Sequence, residues 1–377
     1  MSRAYALLPL HGGKAPRWLF TRMVSLAGCI VEIIVQEFGR RGLLERLSDP
    51  WFFQSLSCVL GYDWHSSGTT TVTCGALKEA INPKDLGVAV AGGKGRASRK
   101  TPTQIQDLGS NLGLGDVRIG EMVYASRMAA KVDSSLVQDG YPIYHHSFLF
   151  DEDGDWIVIQ QGINEEKGNA RRYHWPIDHE EFIEEPQNAI LCDNHVQSVL
   201  DMTSSRSGEN RKACVDIARE DTKRLERSLT KPPIGNQRTL DAWNGNGHRN
   251  LLVMPATINW KALRAAYEFQ PANYEELVSM PGIGASTIRG LALVAELVYG
   301  EKPSWEDPVR FSFAFGGKDG VPFPVDRRAM DEAVDVFKTG ITSSNLRGED
   351  KSRALQRLRR CVPPIPDTRL SMLRHSE

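Results

Sequence analysis

The chain has 377 residues, 41% of them hydrophobic and 25% charged, with a formal net charge of −1 at pH 7. This is ordinary globular composition, long enough for roughly two or three domains. It excludes the strongly basic balance that marks a whole chain as nucleic-acid binding, so any anionic partner must be held by local patches. The six cysteines (Cys29, Cys58, Cys74, Cys192, Cys214, Cys361) are scattered and form no C-x-x-C pair. That argues against a zinc ribbon and a disulfide framework, and predicts a reduced, cytoplasmic setting.

Residues 17–47 read as helix, with Leu19, Met23, Leu26, Ile30, Ile33 and Ile34 close to a 3.6-residue period. The longest apolar run, MVSLAGCIVEIIV from Met23, is about 13 residues and carries Glu32, which predicts a core helix rather than a membrane span. The first residues, MSRAYALLPLHGG, read as no signal peptide. Residues 50–82 predict a short helix, a Gly/Ser/Thr loop and a second helix ending near Asn82-Pro83. GVAVAGGKGRASRKTP opens with a short strand. YPIYHHSFLF and DWIVIQQGI are β-rich and split by DEDG, a hairpin signal. DEDGDW is not a calcium loop: its glycine is misplaced, and the twelfth position from Asp151 is Gly162. Residues 208–230 read as polar helix.

KPPIGNQRTLDAWNGNGHRN is the best domain boundary, placing a linker at 231–250. It separates an N-terminal α+β domain (1–230) from an all-helical domain (251–345), followed by a basic tail (346–377). The fold class expected is therefore α+β.

Three polar loops in the N-terminal half attract attention. In GYDWHSSGTTTVTCG, Ser66, Ser67, Gly68, Thr69 and Thr70 precede a helix and suit a phosphate, with Asp63 and His65 beside them. A plain N-capped helix accounts for the same residues. In GGKGRASRKTP, Lys94, Arg96, Arg99 and Lys100 crowd a glycine-rich loop with no acid among them, which suits DNA or phosphate better than a merely solvated loop. In QDGYPIYHHSF, Asp139, His145 and His146 are candidate metal ligands or acid–base groups; on a strand the two histidines point to opposite faces, so at least one is structural. NARRYHW adds Arg171 and Arg172 among aromatics, suited to distorted or single-stranded DNA, or to a polar strand edge.

The most specific segment is SMPGIGASTIRGLALVAELVYG. A short helix, a Pro-Gly-apolar-Gly turn and a longer helix make a helix-hairpin-helix. Gly282 and Gly284 clear the helix start so that its N–H groups meet a phosphate oxygen, Ile283 anchors the turn, and Ser286, Thr287 and Arg289 stand within reach. Such a turn reads backbone, not bases. A plain αα-hairpin is the alternative. Further on, PFPVDRRAMDEAV resembles the aspartate-bearing helix start of base-excision glycosylases, with Asp326 in the aspartate's place and Ser286 where their bifunctional members carry lysine. Asp326 as a simple helix cap is the competing reading.

LHGGKAPRWLF, LSDPWFFQSLSCVLGYDWHSSGTTT, GGKGRASRKTP, VQDGYPIYHHSFLF, MPGIGAST and FGGKDGVPFPVD together resemble a prokaryotic, mostly archaeal domain-of-unknown-function family, number 763. The N-terminal half is similar to the ParB/sulfiredoxin-like fold, which implies phosphate handled on Gly/Arg loops. These readings converge on a DNA-binding protein of repair or recombination. The expected activity is a structure-selective nuclease using Mg²⁺ or Mn²⁺, acting on duplex, branched or single-stranded DNA without sequence preference and without a membrane. A glycosylase or lyase using Asp326, and a non-enzymatic adaptor for branched DNA, are the alternatives. No GKS/T P-loop supports a motor ATPase.

Overall fold

The structure is a computed structural model that describes residues 15–61, 67–177, 181–192, 195–222, 226, 254–255, 257–309, 327–343 and 347–361. The apolar stripe near the N-terminus folds as α1 (Arg17–Ser48), interrupted at Gly39, whose φ of 75° and ψ of 176° set two helical segments end to end. Only glycine takes that backbone readily. By length and composition α1 is able to cross a bilayer. Its Met23, Ala27, Ile30, Val31, Ile34, Leu43, Leu44 and Leu47 are nonetheless fully buried within the protein's second hydrophobic cluster. Helix α2 (Pro50–Leu60) starts where Asp49 accepts the Phe52 N–H at 2.7 Å with proline in the first turn, and stops at Gly61 in a left-handed conformation. Helix α3 (Gly68–Ala80) and the single turn α4 (Pro83–Leu86) lead into the sheet.

Five antiparallel strands form that sheet in the order β1 (Val88–Lys94), β3 (Ile143–Asp151), β4 (Trp156–Asn164), β5 (Asn169–Trp175), β6 (Ala189–Leu191). Strands β2 (Val137–Gln138) and β7 (Leu200–Asp201) pair separately. A 3₁₀ turn (Gly95–Lys100), α5 (Thr101–Asn111) and α6 (Asp116–Ser135) fill the long connection after β1. The β3–β4 turn is made by Asp151, whose Oδ1 accepts from the Asp153 and Asp155 N–H groups at 3.1 and 2.9 Å. The mixed helices and antiparallel sheets are an α+β fold.

Both faces of the sheet are covered. Val88, Val90, Leu149, Ile157 and Ile159 share one hydrophobic cluster with α1, α2 and α3; Ala89, Ala91, Phe148, Phe150, Val158 and Trp175 share the other with α5 and α6. This is why strands here read as buried almost throughout rather than alternating.

The expected helices of the C-terminal half follow: α7 (Gly208–Ala218), α8 (Trp260–Phe269), α9 (Tyr274–Ser279), α10 (Ala285–Val294) with a π turn (Ala295–Tyr299), α11 (Arg327–Ser343) and α12 (Gly348–Cys361). The anticipated linker at 231–250 and the Asp326 loop lie outside the described residues. The C-terminal helices do not pack only among themselves. Leu263, Leu277, Ile283 and Ile288 belong to the same cluster as α6 and the sheet, while Val336, Phe337 and Ile341 belong to that of α1 and α2. Phe337 stacks on Phe52 with centroids 4.8 Å apart. Segment 304–305 runs beside β7, with the Asp201 N–H donating to the Ser304 carbonyl at 2.9 Å.

Helix α11 crosses α1 closely enough that a Cβ on Gly340 would stand 2.7 Å from Ile30 Cγ1 and 3.3 Å from Ile30 Cα. Gly340→Ala is therefore expected to destabilise the fold by about 1–3 kcal/mol, the range for overpacking, read as a lowered urea midpoint at unchanged slope.

Candidate functional site

The register places Lys94 opposite His145, His145 opposite Gln161 and Gln161 opposite Arg172, a continuous row across four strands on one face. The next row holds Gly92, Ser147, Ile159 and His174. This end of the face is polar where the other end is apolar, and no carboxylate lies in either row. Lys94 is exposed, with its ammonium 5.6 Å from the Tyr144 ring, while His145, Gln161 and Arg172 are fully buried. Gln161 Nε2 donates to the Tyr144 hydroxyl and to the Ser67 carbonyl, both at 2.8 Å, which docks the start of α3 over the row. No side chain caps α3 at Ser67. Arg172 donates to Gln54 at 3.0 Å and lies over the Phe53 ring; burial lowers its pKa to about 10.

His145 bonds Ser147 Oγ through Nε2 at 3.0 Å, and its Nδ1 is buried with no hydrogen-bond partner among the described residues, as are Thr70 Oγ1 and Gln161 Oε1. Burial first, then the charges of His146, Lys94 and Lys78, lower the His145 pKa to about 3, so it is neutral at physiological pH. Lys78 ties the row to the glycine loop: its Nζ donates to the Gly92 carbonyl at 2.8 Å and to Gln104 Oε1 at 2.7 Å, and Gln104 Oε1 also takes the Gly92 N–H. Gly92, with φ of 91°, sits so close to the His146 carbonyl that no Cβ fits there. The following 3₁₀ turn carries Arg96, Arg99 and Lys100 into solvent. The structure thus brings the first two loops singled out in the sequence to one end of the sheet, with the Ser67 carbonyl on Gln161 and Lys78 of α3 on Gly92, and the register sets Lys94 opposite His145 of the third. Ser67, Thr69 and Thr70 are themselves buried. Asp63, His65 and Ser66 lie outside the described residues.

The other expected acid–base groups go elsewhere. His146 points to the opposite face, where Nδ1 faces Gln160 Oε1 and Nε2 faces Ser126 Oγ, both at 2.9 Å. Gln160 Nε2 donates to Asp133 and to the Ala129 carbonyl, so its oxygen accepts from the His146 Nδ1–H and the Ser126 hydroxyl donates to Nε2. Burial lowers the His146 pKa to about 4. Asp133 also accepts from Trp175 Nε1 at 2.9 Å and Gln187 Nε2 at 2.5 Å; with three neutral donors, burial raises its pKa to about 7. Asp139 is consumed by the fold. Its Oδ1 takes the Tyr141 N–H, and its Oδ2 takes Arg171 at 3.0 Å and the Tyr173 hydroxyl at 2.6 Å. Burial pushes the Asp139 carboxyl up against the opposing pull of Arg171. Arg171 also reaches Asp307 at 2.5 Å and is wholly buried, so neither it nor Arg172 offers a surface for DNA. Asp139, His145 and His146 therefore do not converge on one point. Among the described residues no group of three His, Cys, Asp or Glu side chains is placed to hold a metal ion.

Between α9 and α10 lies the tight turn Pro281–Gly284. Gly282 is exposed with φ of 84°, Ile283 is buried, and a Cβ on Gly284 would meet nothing within 4 Å. No side chain caps α10 at Gly284. The turn is braced from α6 and β2: Lys131 donates to the Met280 carbonyl at 2.5 Å and Gln138 to the Ala285 carbonyl at 2.8 Å. Burial lowers the Lys131 pKa to about 8. Ser286 accepts from Thr257, Thr287 accepts the Asn259 N–H, and Arg289 lies half-buried over Trp305 at 5.1 Å instead of beside the turn. Sequence reading missed Gln161, Lys78 and Tyr144. The Gln160-Gln161 pair, polar in an otherwise apolar strand, was the available signal.

A family model described as "Protein of unknown function (DUF763)" matches residues 4–325, and the chain belongs to that family. No curated protein and no solved structure matches it.

Asp133 binds a proton more tightly folded than unfolded, so its contribution to stability is full below about pH 4 and is lost as pH rises through about 7. Thermal melts from pH 4 to 7 should show wild type losing stability relative to Asp133→Asn as pH rises, by a few kcal/mol. A constant difference across that window would contradict the assignment.

Proposed function

We propose that this member of the family grips the phosphate backbone of DNA with the Pro281–Gly284 turn, used as a helix-hairpin-helix. The observation that supports the reading is the start of α10 behind the exposed Gly282: among the described residues no side chain caps Gly284, and a Cβ on it would meet nothing within 4 Å. Free first-turn N–H groups and the helix dipole favour an anion there. Gly284 lets a phosphate come near, Gly282 supplies the left-handed backbone packed against Asn259 and Ala262, and nothing in the turn reads a base. Lys94, Arg96, Arg99 and Lys100 supply a second local basic patch, consistent with a near-neutral protein that concentrates its positive charge.

If the turn holds phosphate, replacing Gly282 and Gly284 together with leucine weakens binding equally on unrelated duplex sequences. The slope of log affinity against log salt flattens by about 0.9 for each phosphate that the protein ceases to neutralise. An unchanged slope, or a weakening confined to particular sequences, overturns the grip.

A second reading, phosphodiester hydrolysis at the basic end of the sheet, is favoured by one observation: a neutral imidazole shares a row with the exposed Lys94, next to Lys78. Cations that stabilise a crowded phosphorane are parts such chemistry needs, and His145, which burial leaves a weak base, is the imidazole beside them. Asp63 and His65 are the candidates for holding Mg²⁺ or Mn²⁺, and the proposed similarity to the ParB/sulfiredoxin-like fold belongs with this reading. Labelled duplex, bubble, flap and single-stranded DNA incubated with Mg²⁺, Mn²⁺ or EDTA test it. Metal-dependent scission that His145→Gln abolishes while binding persists is the expected outcome. Binding without scission removes the hydrolytic reading and leaves the adaptor role.

A further inference from the structure

The sequence offers Arg289 as the cation nearest the Pro281–Gly284 turn, but in the fold its guanidinium lies over the Trp305 ring. A different cation stands at the turn. Lys131 reaches from α6 to the Met280 carbonyl at 2.5 Å, and the Ile283 N–H that closes the turn donates to the same oxygen at 3.3 Å. The ammonium and the turn's own amide therefore share one acceptor, which holds the amine against the turn. An ammonium has three N–H donors. Among the described residues Lys131 spends them on the Met280 carbonyl, and no carboxylate pairs with it.

The charged groups on the neighbouring elements leave that positive charge unanswered. On α6, Arg127 is exposed one turn earlier, and Asp133 is turned into the core, where Gln160, Trp175 and Gln187 donate to it. On α9, Glu275 takes the Tyr124 hydroxyl at 2.7 Å and Glu276 takes the Ala272 N–H at 2.7 Å. Both acids belong to the first turn of that helix, whereas Met280 follows its last residue. From β2 comes Gln138, a neutral group, on the Ala285 carbonyl. Lys131 is half-buried, and Pro281 and Gly282 beside it are exposed.

We propose that Lys131 is the charged partner of the backbone grip, its remaining N–H donors pairing with the phosphate that the first-turn amides of α10 hold. The inference rests on that grip and adds a demand that the grip alone does not make. Burial lowers the Lys131 pKa to about 8. A phosphate supplies the missing counter-ion and raises that pKa, so binding takes up a proton wherever the free amine has lost one. Affinity is then level below about pH 7 and falls as pH rises through about 8, by at most about tenfold per pH unit for one proton.

The test measures affinity for a mixed-sequence duplex at constant ionic strength from about pH 6.5 to about 9.5. All variants are chosen to melt like wild type at neutral pH. Lys131→Met keeps the stem and removes the charge. It should bind about 10- to 100-fold more weakly at neutral pH, the range for a hydrogen bond to a charged group, with a level pH profile. Its salt slope should be flatter by about 0.9. Lys131→Arg, charged throughout, should restore binding and abolish the alkaline fall, which a merely structural brace would not do. The wild-type profile and the arginine variant decide the question even where methionine unfolds the protein. A level wild-type profile, a fall that persists in the variants, or wild-type affinity in Lys131→Met overturns the role of Lys131 and leaves the grip standing. Binding that leucine at Gly282 and Gly284 leaves unchanged, with the alkaline fall intact, overturns the grip and keeps Lys131 as a phosphate contact. No duplex binding by wild type overturns both.

Discussion

A sheet covered on both faces must satisfy internally every polar group it carries, because a buried group without a partner costs free energy that a single-layer sheet would avoid by facing water. Here that constraint falls on an unusual set. His145, His146, Gln160, Gln161, Arg171, Arg172 and His174 all lie on the central strands and all are buried. Most are answered. Arg171 finds two carboxylates, His146 and Gln160 form a chain ending on Asp133, and His174 Nδ1 meets the Ser48 carbonyl. Antiparallel pairing then sorts them by parity. Neighbours in sequence fall on opposite faces, so the pairs His145-His146, Gln160-Gln161 and Arg171-Arg172 each split between two networks of different character.

The two networks differ in what they leave over. The one on the α6 side closes on itself with acids, amides and an indole, and its members stabilise one arrangement of the core. The one under α3 holds cations and neutral groups with no acid, and contains acceptors and a ring nitrogen that remain unanswered. Its position at one end of the sheet, continuous with the exposed Lys94 and the turn carrying Arg96, Arg99 and Lys100, connects a buried polar row to the surface.

Much of this was legible in the residues. The short helix and Gly/Ser/Thr loop after residue 50, DEDG as the strand turn, and Pro281-Gly282-Ile283-Gly284 as a tight connection with one buried anchor were readable, because each of these is decided within a few residues of chain. The parity of His145 and His146 was equally local. What could not be read was partnership at long range. Nothing near Asp139 in sequence shows that Arg171, Tyr173 and Asp307 will surround it, so a carboxylate in a polar loop looked chemical when it is a structural counter-ion. Arg171 and Arg172 looked like surface cations among aromatics, since sequence pattern does not reveal that a second helical layer covers that strand. Lys78 carried no signal at all. It became part of the site because α3 happens to lie along Gly92.

Asp307 also has a mechanical consequence. Its Oδ2 joins Arg171 in β5 to the backbone N–H of Val196, and the segment just before it runs beside β7. The stretch containing α9, the turn and α10 is therefore fastened on its far side to the centre of the sheet, and on its near side to α6 through Tyr124 and Lys131. A load applied to the turn is shared between these attachments instead of hinging on one loop. The turn is clamped like a beam held at both ends, and it transmits force into the same buried arginine that organises the strands.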